Sequence, residues 1–200
     1  MSRTVFVPGD EGVNPYALLT SLVVPRPIAW VSTLGADGKG NLAPHSFFTV
    51  ASNRPPTVLF SSLGRKDTVK NVEATREFVV SLASEALMHQ VNDSSAPFEH
   101  GDDESLALSI EMEPSETVAP RRVAGSPASI ECRLHQVVEV GTSYVVIGEV
   151  TAITVVDEAL VDGHPAIDLL RPVSRLGGQE WGRPVEAFDL VRPTSVEDVL

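Results

Sequence analysis

A mainly β domain, a β-barrel carrying a few short helices, is the fold class this sequence predicts. Three observations carry that reading. At least six runs have strand character, against two or three short helical segments. Most of the apolar runs are short and bounded by Gly, Pro, Asn, Asp or Ser, the punctuation of turns. There is neither an internal repeat nor a low-complexity tract to suggest a solenoid or a fibre.

Each element has its own justification. Met1 to Val13 is a polar, Gly-containing lead-in. Asn14 to Leu22 fits a short helix, with Asn14 as cap and Pro15 at the first helical position. Leu18, Leu19 and Leu22 then share one face, expected to be the buried one. Pro25 and Pro27 stop the helix and extend the chain. Ile28 to Leu34 opens on a continuous apolar run, the mark of a strand covered on both faces. Gly35 to Gly40 reads as a hairpin turn, with Asp37-Gly38 its strongest dipeptide. Asn41 to Phe48 is the returning strand, and Thr57 to Ser62 follows a Pro-Pro pair as the next. Asp67 or Thr68 caps a short helix carrying Val69 and Val72. Glu77 to Leu82 is a further strand, and Ser84 caps a helix with Leu87 and Val91 at i, i+4.

From Asn92 to Pro127 periodicity dissolves into Ser, Pro and acids. A loop this long is usually functional or packed on a partner, and its expected place is over a subunit seam or a ligand mouth. The β pattern then resumes. Ile130, Cys132 and Leu134 alternate with polar residues. Tyr144 to Val156 is a long strand apolar on both faces, as expected when one side meets the core and the other a partner subunit.

Composition narrows function. Two hundred residues with 42% hydrophobic content suit one domain with a real core. The net charge of −12, from 27 acids against 15 bases, makes nucleic acid and anionic membrane surfaces poor partners. An anionic ligand therefore has to find a local cationic pocket. No apolar run reaches the length of a bilayer span, no signal peptide is evident, and the lone Cys132 suits a reducing compartment; a cytoplasmic location is expected.

Several chemistries lack their motif: no P-loop, no Gly-x-Ser-x-Gly elbow, and no pairing of the five histidines that would suggest zinc. Gly35, Gly38 and Gly40 are followed by Pro44 and strand-like residues, so they read as a hairpin rather than a dinucleotide loop. The run Glu99 to Glu104 reads as a solvated loop and Cys132 as a buried, inert thiol; no metal site is expected. What remains is Ser61-Ser62-Leu63-Gly64-Arg65-Lys66-Asp67-Thr68. It reads either as a phosphate cradle at a helix start, with Arg65 and Lys66 supplying charge, or as a plain strand-to-helix turn. Ser32, Thr33, Asn41 and Ser46 are donors and acceptors for the edge of a flat heterocycle, or ordinary strand polars. Trp30 is a core residue or an aromatic wall.

Taken together, these segments resemble the flavin reductase-like, FMN-binding split β-barrel family, in its flavoredoxin-like branch. The likeness rests on Arg26-Pro27-Ile28-Ala29-Trp30-Val31-Ser32-Thr33, Asn41-Leu42-Ala43-Pro44-His45-Ser46-Phe47-Phe48, Lys66-Asp67-Thr68-Val69-Lys70-Asn71, Ile130-Glu131-Cys132-Arg133-Leu134 and Ile147-Gly148-Glu149-Val150. Arg171-Pro172 and Ser174-Arg175-Leu176-Gly177-Gly178 extend it. It divides the chain into an extension over 1–13, a domain over 14–192 and a tail over 193–200. The resemblance implies a homodimer of split barrels with one FMN at or near each subunit interface. It places Ala29, Trp30, Val31, Ser32 and Thr33 along the isoalloxazine, with Asn41, Ala43, Pro44 and Ser46 lining it from the second strand. Ser61, Ser62, Arg65, Lys66 and Thr68 would hold the phosphate and ribityl chain, with Asn71 nearby and Arg175 and Gly177 reaching the same or the neighbouring flavin. No protein nucleophile or general base is expected, since the redox chemistry is the cofactor's.

Short-chain flavin reductases that pair with monooxygenases resemble one another in a Gly-Asp-His motif. The corresponding place here reads Gly141-Thr142-Ser143-Tyr144, so direct nicotinamide use in that manner does not carry over. Three functions stay open: an FMN-dependent oxidoreductase using NADH or NADPH, an electron carrier reduced by a partner, and a binding module without turnover.

Overall fold

The computed structural model describes residues 1–199; Leu200, the last residue of the expected tail, lies outside the described residues. The fold is mainly β. A seven-stranded antiparallel sheet is built from β1 (Ala29–Leu34), β2 (Gly40–His45), β3 (Phe48–Asn53), β4 (Pro56–Leu63), β5 (Glu77–Leu82), β6 (Ala128–Val140) and β7 (Ser143–Val155), in the order β2-β1-β5-β6-β7-β4-β3. The two end strands, β2 and β3, are consecutive in the chain and joined only by Ser46 and Phe47. A sheet whose two ends are tied by two residues has to roll until they meet, which makes this a barrel. The Ser61 N–H donates to the Phe47 carbonyl at 2.8 Å, carrying the β3–β4 ladder into the link between the two end strands. A small sheet of Arg26–Pro27, Ser174–Arg175 and Trp181–Gly182 sits beside it.

The barrel interior is filled by one apolar cluster and a second lies outside it. Ala29, Val31, Phe60, Phe78, Cys132 and Val146 belong to the first; Ile28, Trp30, Leu42, Val91 and Val173 belong to the second. Successive residues of β1 therefore enter different cores, which explains the uninterrupted apolar run. Phe60 and Phe78 meet edge to face at 5.5 Å inside the barrel. Burial pushes the Cys132 thiol up to about 12, so it is inert as read from sequence. The β6–β7 register shifts at Gly148, where the Phe78 ring occupies the space a Cβ would need.

Three expectations are corrected. The strand expected over Asn41–Phe48 breaks at Ser46–Phe47, and a separate strand, β3, precedes the Pro-Pro pair. Helix α1 (Pro15–Leu22) forms with Asn14 accepting the Ala17 N–H at 3.1 Å, but it presents its apolar residues to solvent. Leu19 is 60% and Leu22 76% exposed, while Thr20 is the buried residue. Helical spacing identifies a shared face, not the side on which the barrel lies. The excursion after β5 is ordered rather than patternless. The helices expected after Gly64 and after Ser84 form as α2 (Asp67–Thr75) and α3 (Met88–Asp93); the Asn92–Pro127 excursion then holds α4 (Glu104–Ala107) and a paired Met112–Glu113/Arg122–Val123 ribbon. It covers the outer face and open edge of the β1–β2 hairpin. Leu42 N–H donates to the Glu104 carboxylate at 2.7 Å, and Trp30 Nε1 donates to Ser94 Oγ at 2.9 Å. Its far end is held by the fully buried Glu131, which accepts from Glu116 N, Thr117 N and Thr117 Oγ1. Among the described residues no helix is long and apolar enough to cross a membrane.

Candidate functional site

The barrel seam carries the site. At Ser46–Phe47 the chain leaves β2, passes the end of β4 at Ser61–Leu63, and faces the first turn of α2. Gly64, at φ 87°, lets β4 swing into that helix, with Ser62 Oγ donating to the Gly64 carbonyl at 2.9 Å. A cleft of about 150 Å³ opens here, bordered by Pro44, Ser46, Ser61, Ser62 and Lys66 together with Tyr16, His45 and Phe47. Pockets that enclose a small ligand run to about 300–1,000 Å³, so one chain supplies only part of an enclosure.

The charges at this cleft differ sharply. Lys66 is the N-cap residue of α2, and no side chain caps that end. The amides of the first turn and the helix dipole are therefore open to an anion beside the ammonium group. Lys66 has no carboxylate partner among the described residues. Arg65, by contrast, is turned away and bound to Glu73, with Nε donating at 3.0 Å. Asp67 is the acid that threatens an anion here, but it is spoken for. Burial raises its carboxyl, and bonds from Gly101 N, Lys70 and His100 outweigh that to hold it below the ordinary value.

Beneath the cleft lies a buried polar network. Asn41 Nδ2 donates to Thr68 Oγ1 at 3.1 Å, His45 Nε2 faces the same hydroxyl at 3.4 Å, and Asn71 Nδ2 donates to Thr33 Oγ1 at 3.1 Å. Thr33, Asn41 and Thr68 are 1%, 7% and 2% exposed. These bonds lock the turn end of the β1–β2 hairpin onto α2 and so help to fix where the helix starts. His45 is held neutral: burial first, and the nearby Lys66 charge second, lower its pKa to about 4.

The residues expected from sequence thus separate into groups. Pro44, Ser46, Ser61, Ser62 and Lys66 meet at the cleft; Thr33, Asn41, Thr68 and Asn71 form a network linked to it through His45, and Ser32, Thr33 and Asn41 also border a separate cleft of about 410 Å³. Ala29 and Val31 point into the barrel core and Trp30 into the outer core, all fully buried. Their backbones are paired on both sides, with β2 and β5, as is that of Ser32, whose hydroxyl donates to the Arg121 carbonyl. Ala43 is half-buried in β2 opposite Val31. Arg175 faces a neighbouring cleft, and Gly177 packs against Ser21, close enough that a Cβ would lie 2.6 Å from its hydroxyl. Tyr16, His45 and Phe47 were missed. The signal for His45 and Phe47 was their place inside the Asn41–Phe48 block; for Tyr16, it was a helix face that packing leaves open.

Comparison with known proteins agrees with this architecture. Residues 21–169 match the Flavin reductase like domain. The chain belongs to the flavin reductase-like family. It is 39% identical over 192 residues to an uncharacterized protein of Deinococcus radiodurans, covering 90% of this chain and 85% of the relative. It is 38% identical over 184 residues to an uncharacterized protein of Aquifex aeolicus, covering 89% and 92%. Among solved structures, the 2-nitrobenzoate 2-nitroreductase NbaA of Pseudomonas fluorescens superposes with a TM-score of 0.88 at 29% identity, over 96% of this chain and 97% of that one. Component B of nitrilotriacetate monooxygenase from Bacillus cereus gives 0.89 at 27%, over 95% and 100%. The flavoredoxin of Desulfovibrio vulgaris, at 0.77 and 21% identity over 97% and 100%, shares the fold. The barrel of this flavin reductase-like chain is the split barrel of those neighbours.

Proposed function

We propose that this flavin reductase-like chain is an FMN-binding oxidoreductase, using NADH or NADPH to reduce free flavin or another acceptor through the bound flavin. The observation that carries the reading is Lys66. It is a cation without a carboxylate partner among the described residues, at an uncapped helix start beside the Ser61–Ser62 hydroxyls, in a chain of net charge −12. That donor set fits a phosphate monoester. Lys66 and the first-turn amides would hold the phosphate, and Ser61 and Ser62 the ribityl chain. Pro44 and Ser46 would lie against the ring. When bound, FMN supplies the hydride and one-electron chemistry. The chain's own groups bind, orient and exclude water, and the buried Asn41–Thr68–His45 network keeps the helix start in register without offering a proton.

A second copy of the chain would complete the enclosure that one protomer leaves open. The outward apolar face of α1 supports this reading, with Tyr16, Leu19, Leu22 and Val23 all more than half exposed. Tyr16 belongs both to that face and to the cleft. A face so placed buries against a partner or remains a liability in water.

The competing reading is an electron carrier reduced by another protein. It is favoured by Gly141-Thr142-Ser143-Tyr144, which offers no acid or histidine beside β7 for a nicotinamide. The visible spectrum of the purified protein, with release and identification of any chromophore, tests the flavin. Anaerobic mixing with NADH or NADPH then separates the readings: rapid bleaching of bound-flavin absorbance supports the oxidoreductase, and no bleaching supports the carrier. A colourless chain that takes up no added FMN refutes both.

A further inference from the structure

Helix α1 is not held on the barrel by its apolar face. Leu19 and Leu22 point outward, only Thr20 of its eight residues is buried, and none of the eight belongs to either apolar cluster. A surface helix is normally held by an apolar stripe against the core. Eight residues are also too few for a helix to persist unheld in water. Something other than hydrophobic burial keeps α1 in place.

The side chain that reaches it is Arg26, only 6% exposed. Its Nη1 donates to the carbonyl of Thr20 and, at 3.0 Å, to that of Val23, both at the C-terminal end of the helix. Its Nη2 donates to the Leu176 carbonyl at 2.7 Å, and the next residue, Gly177, packs on Ser21 of the helix. Its guanidinium carbon lies 6.0 Å from the Phe47 ring centroid. One guanidinium thus ties together the end of α1, the Leu176–Gly177 stretch and the link between β2 and β3. No carboxylate pairs with it among the described residues, and its Nε has no partner. Burial first, and the adjacent Arg175 second, lower its pKa, yet an arginine stays charged. The buried charge is offset instead by the free carbonyls and the negative dipole end of α1.

We infer that Arg26 is a positioning residue: its guanidinium clamps α1 to the barrel and thereby sets where Tyr16 stands at the Lys66 cleft. Tyr16 lies on that helix with its ring centroid 6.4 Å from that of Phe47, and both rings border the cleft. Phe47 is fixed by the strands on either side of it, whereas Tyr16 goes wherever the helix goes. Lysine is no substitute for the clamp. An ammonium is a point charge, while the guanidinium is a planar fork whose two ends reach carbonyls on separate segments. The service of Tyr16 to a flavin rests on the reading above; the clamp itself does not.

Hydrogen exchange of the purified full chain tests the clamp without reference to flavin. In the parent the amides of Leu18 and Val23 donate to the carbonyls of Asn14 and Leu19. In Arg26→Met, which keeps an unbranched side chain but has no donors, these amides should exchange roughly tenfold faster or more, while those of β1 and β5 keep their parent rates. Unchanged exchange in α1 overturns the proposal. So does core exchange that accelerates as much as that of α1, the sign of general destabilisation. If Arg26→Met does not fold, Arg26→Lys carries the same test, since it keeps the charge and loses the fork. FMN affinity, read by flavin-fluorescence quenching, tests the consequence at the cleft. Arg26→Met and Tyr16→Leu should each weaken binding roughly three- to tenfold, the scale of one aromatic contact, and the double variant no more than either alone. Losses that multiply in the double variant overturn the action of Arg26 through Tyr16. If the parent takes up no FMN, the flavin reading falls by itself, and the exchange result still decides the clamp.

Discussion

Replacing Lys66 with alanine should weaken FMN binding without weakening the fold. Lys66 is exposed, accepts no role as a side-chain cap, and is tied to no acid among the described residues. Losing it therefore leaves no buried group unsatisfied, and the change in stability should stay within about 0.5 kcal/mol. A hydrogen bond to a charged group contributes about 1.5–3 kcal/mol. Since the ammonium group sits in solvent, the low end applies, which is roughly tenfold in Kd. Flavin-fluorescence quenching reads the affinity, and thermal unfolding followed by circular dichroism reads the fold. Arg65→Ala serves as the comparison: its guanidinium already binds Glu73, so its removal should change Kd far less. The difference between parent and Lys66→Ala should also shrink in high salt, as the screening length falls from about 10 Å at 0.1 M to about 3 Å at 1 M. Equal Kd values for parent and Lys66→Ala would refute the cradle, as would a larger effect from Arg65→Ala.

Three further outcomes are expected. His45 is buried with a pKa of about 4, while the unfolded imidazole titrates near 6.5, so its contribution is complete above pH 6.5 and is lost as pH falls towards 4. The loss is roughly 3 kcal/mol, and His45→Gln should remove that part of the slope in denaturant titrations run from pH 7 to 4; parallel slopes in parent and variant would contradict it. Glu131→Ala strips Glu116 and Thr117 of their buried acceptor and Arg122 of one of its carboxylates, which should cost about 3–5 kcal/mol. Chemical denaturation measures that, and a cost under 1 kcal/mol would mean the excursion is held elsewhere. Gly148→Ala drives a methyl into the Phe78 ring, so it should lower Tm by well over 5 °C; the double variant with Phe78→Leu should regain part of the loss.

Much of the fold was legible from local pattern. Asn14 and Pro15 announce the start of α1, Asp37-Gly38 the hairpin, with Gly38 at φ 82°, and the apolar run of β1 its two-sided burial. Glu77–Leu82 is a strand with the bounds expected of it. Such features are local: a cap, a turn dihedral and a period of two are each decided within a few residues. The site was legible only as a set of residue types. Arg65 and Lys66 are adjacent and chemically alike, and nothing in their neighbours says that one turns to Glu73 and the other to the cleft. The polarity of Thr33, Asn41, Thr68 and Asn71 was visible in the sequence, and the Asn41–Thr68 and Asn71–Thr33 hydrogen bonds were not.

The amino-acid order by itself determined the β-rich class, the acidity that confines an anion to a local cationic pocket, and the strand-to-helix turn where Lys66 stands. Tertiary structure alone decided which side of α1 faces the barrel, that β2 and β3 are two strands meeting at the seam, and which polar groups are already satisfied. It also brought Arg26 and Arg175, 149 positions apart, into register beside each other. The reason is range. Turn, cap and alternation are set by neighbours along the chain, whereas the orientation of a face and the partner of a charge depend on segments that only barrel closure brings together.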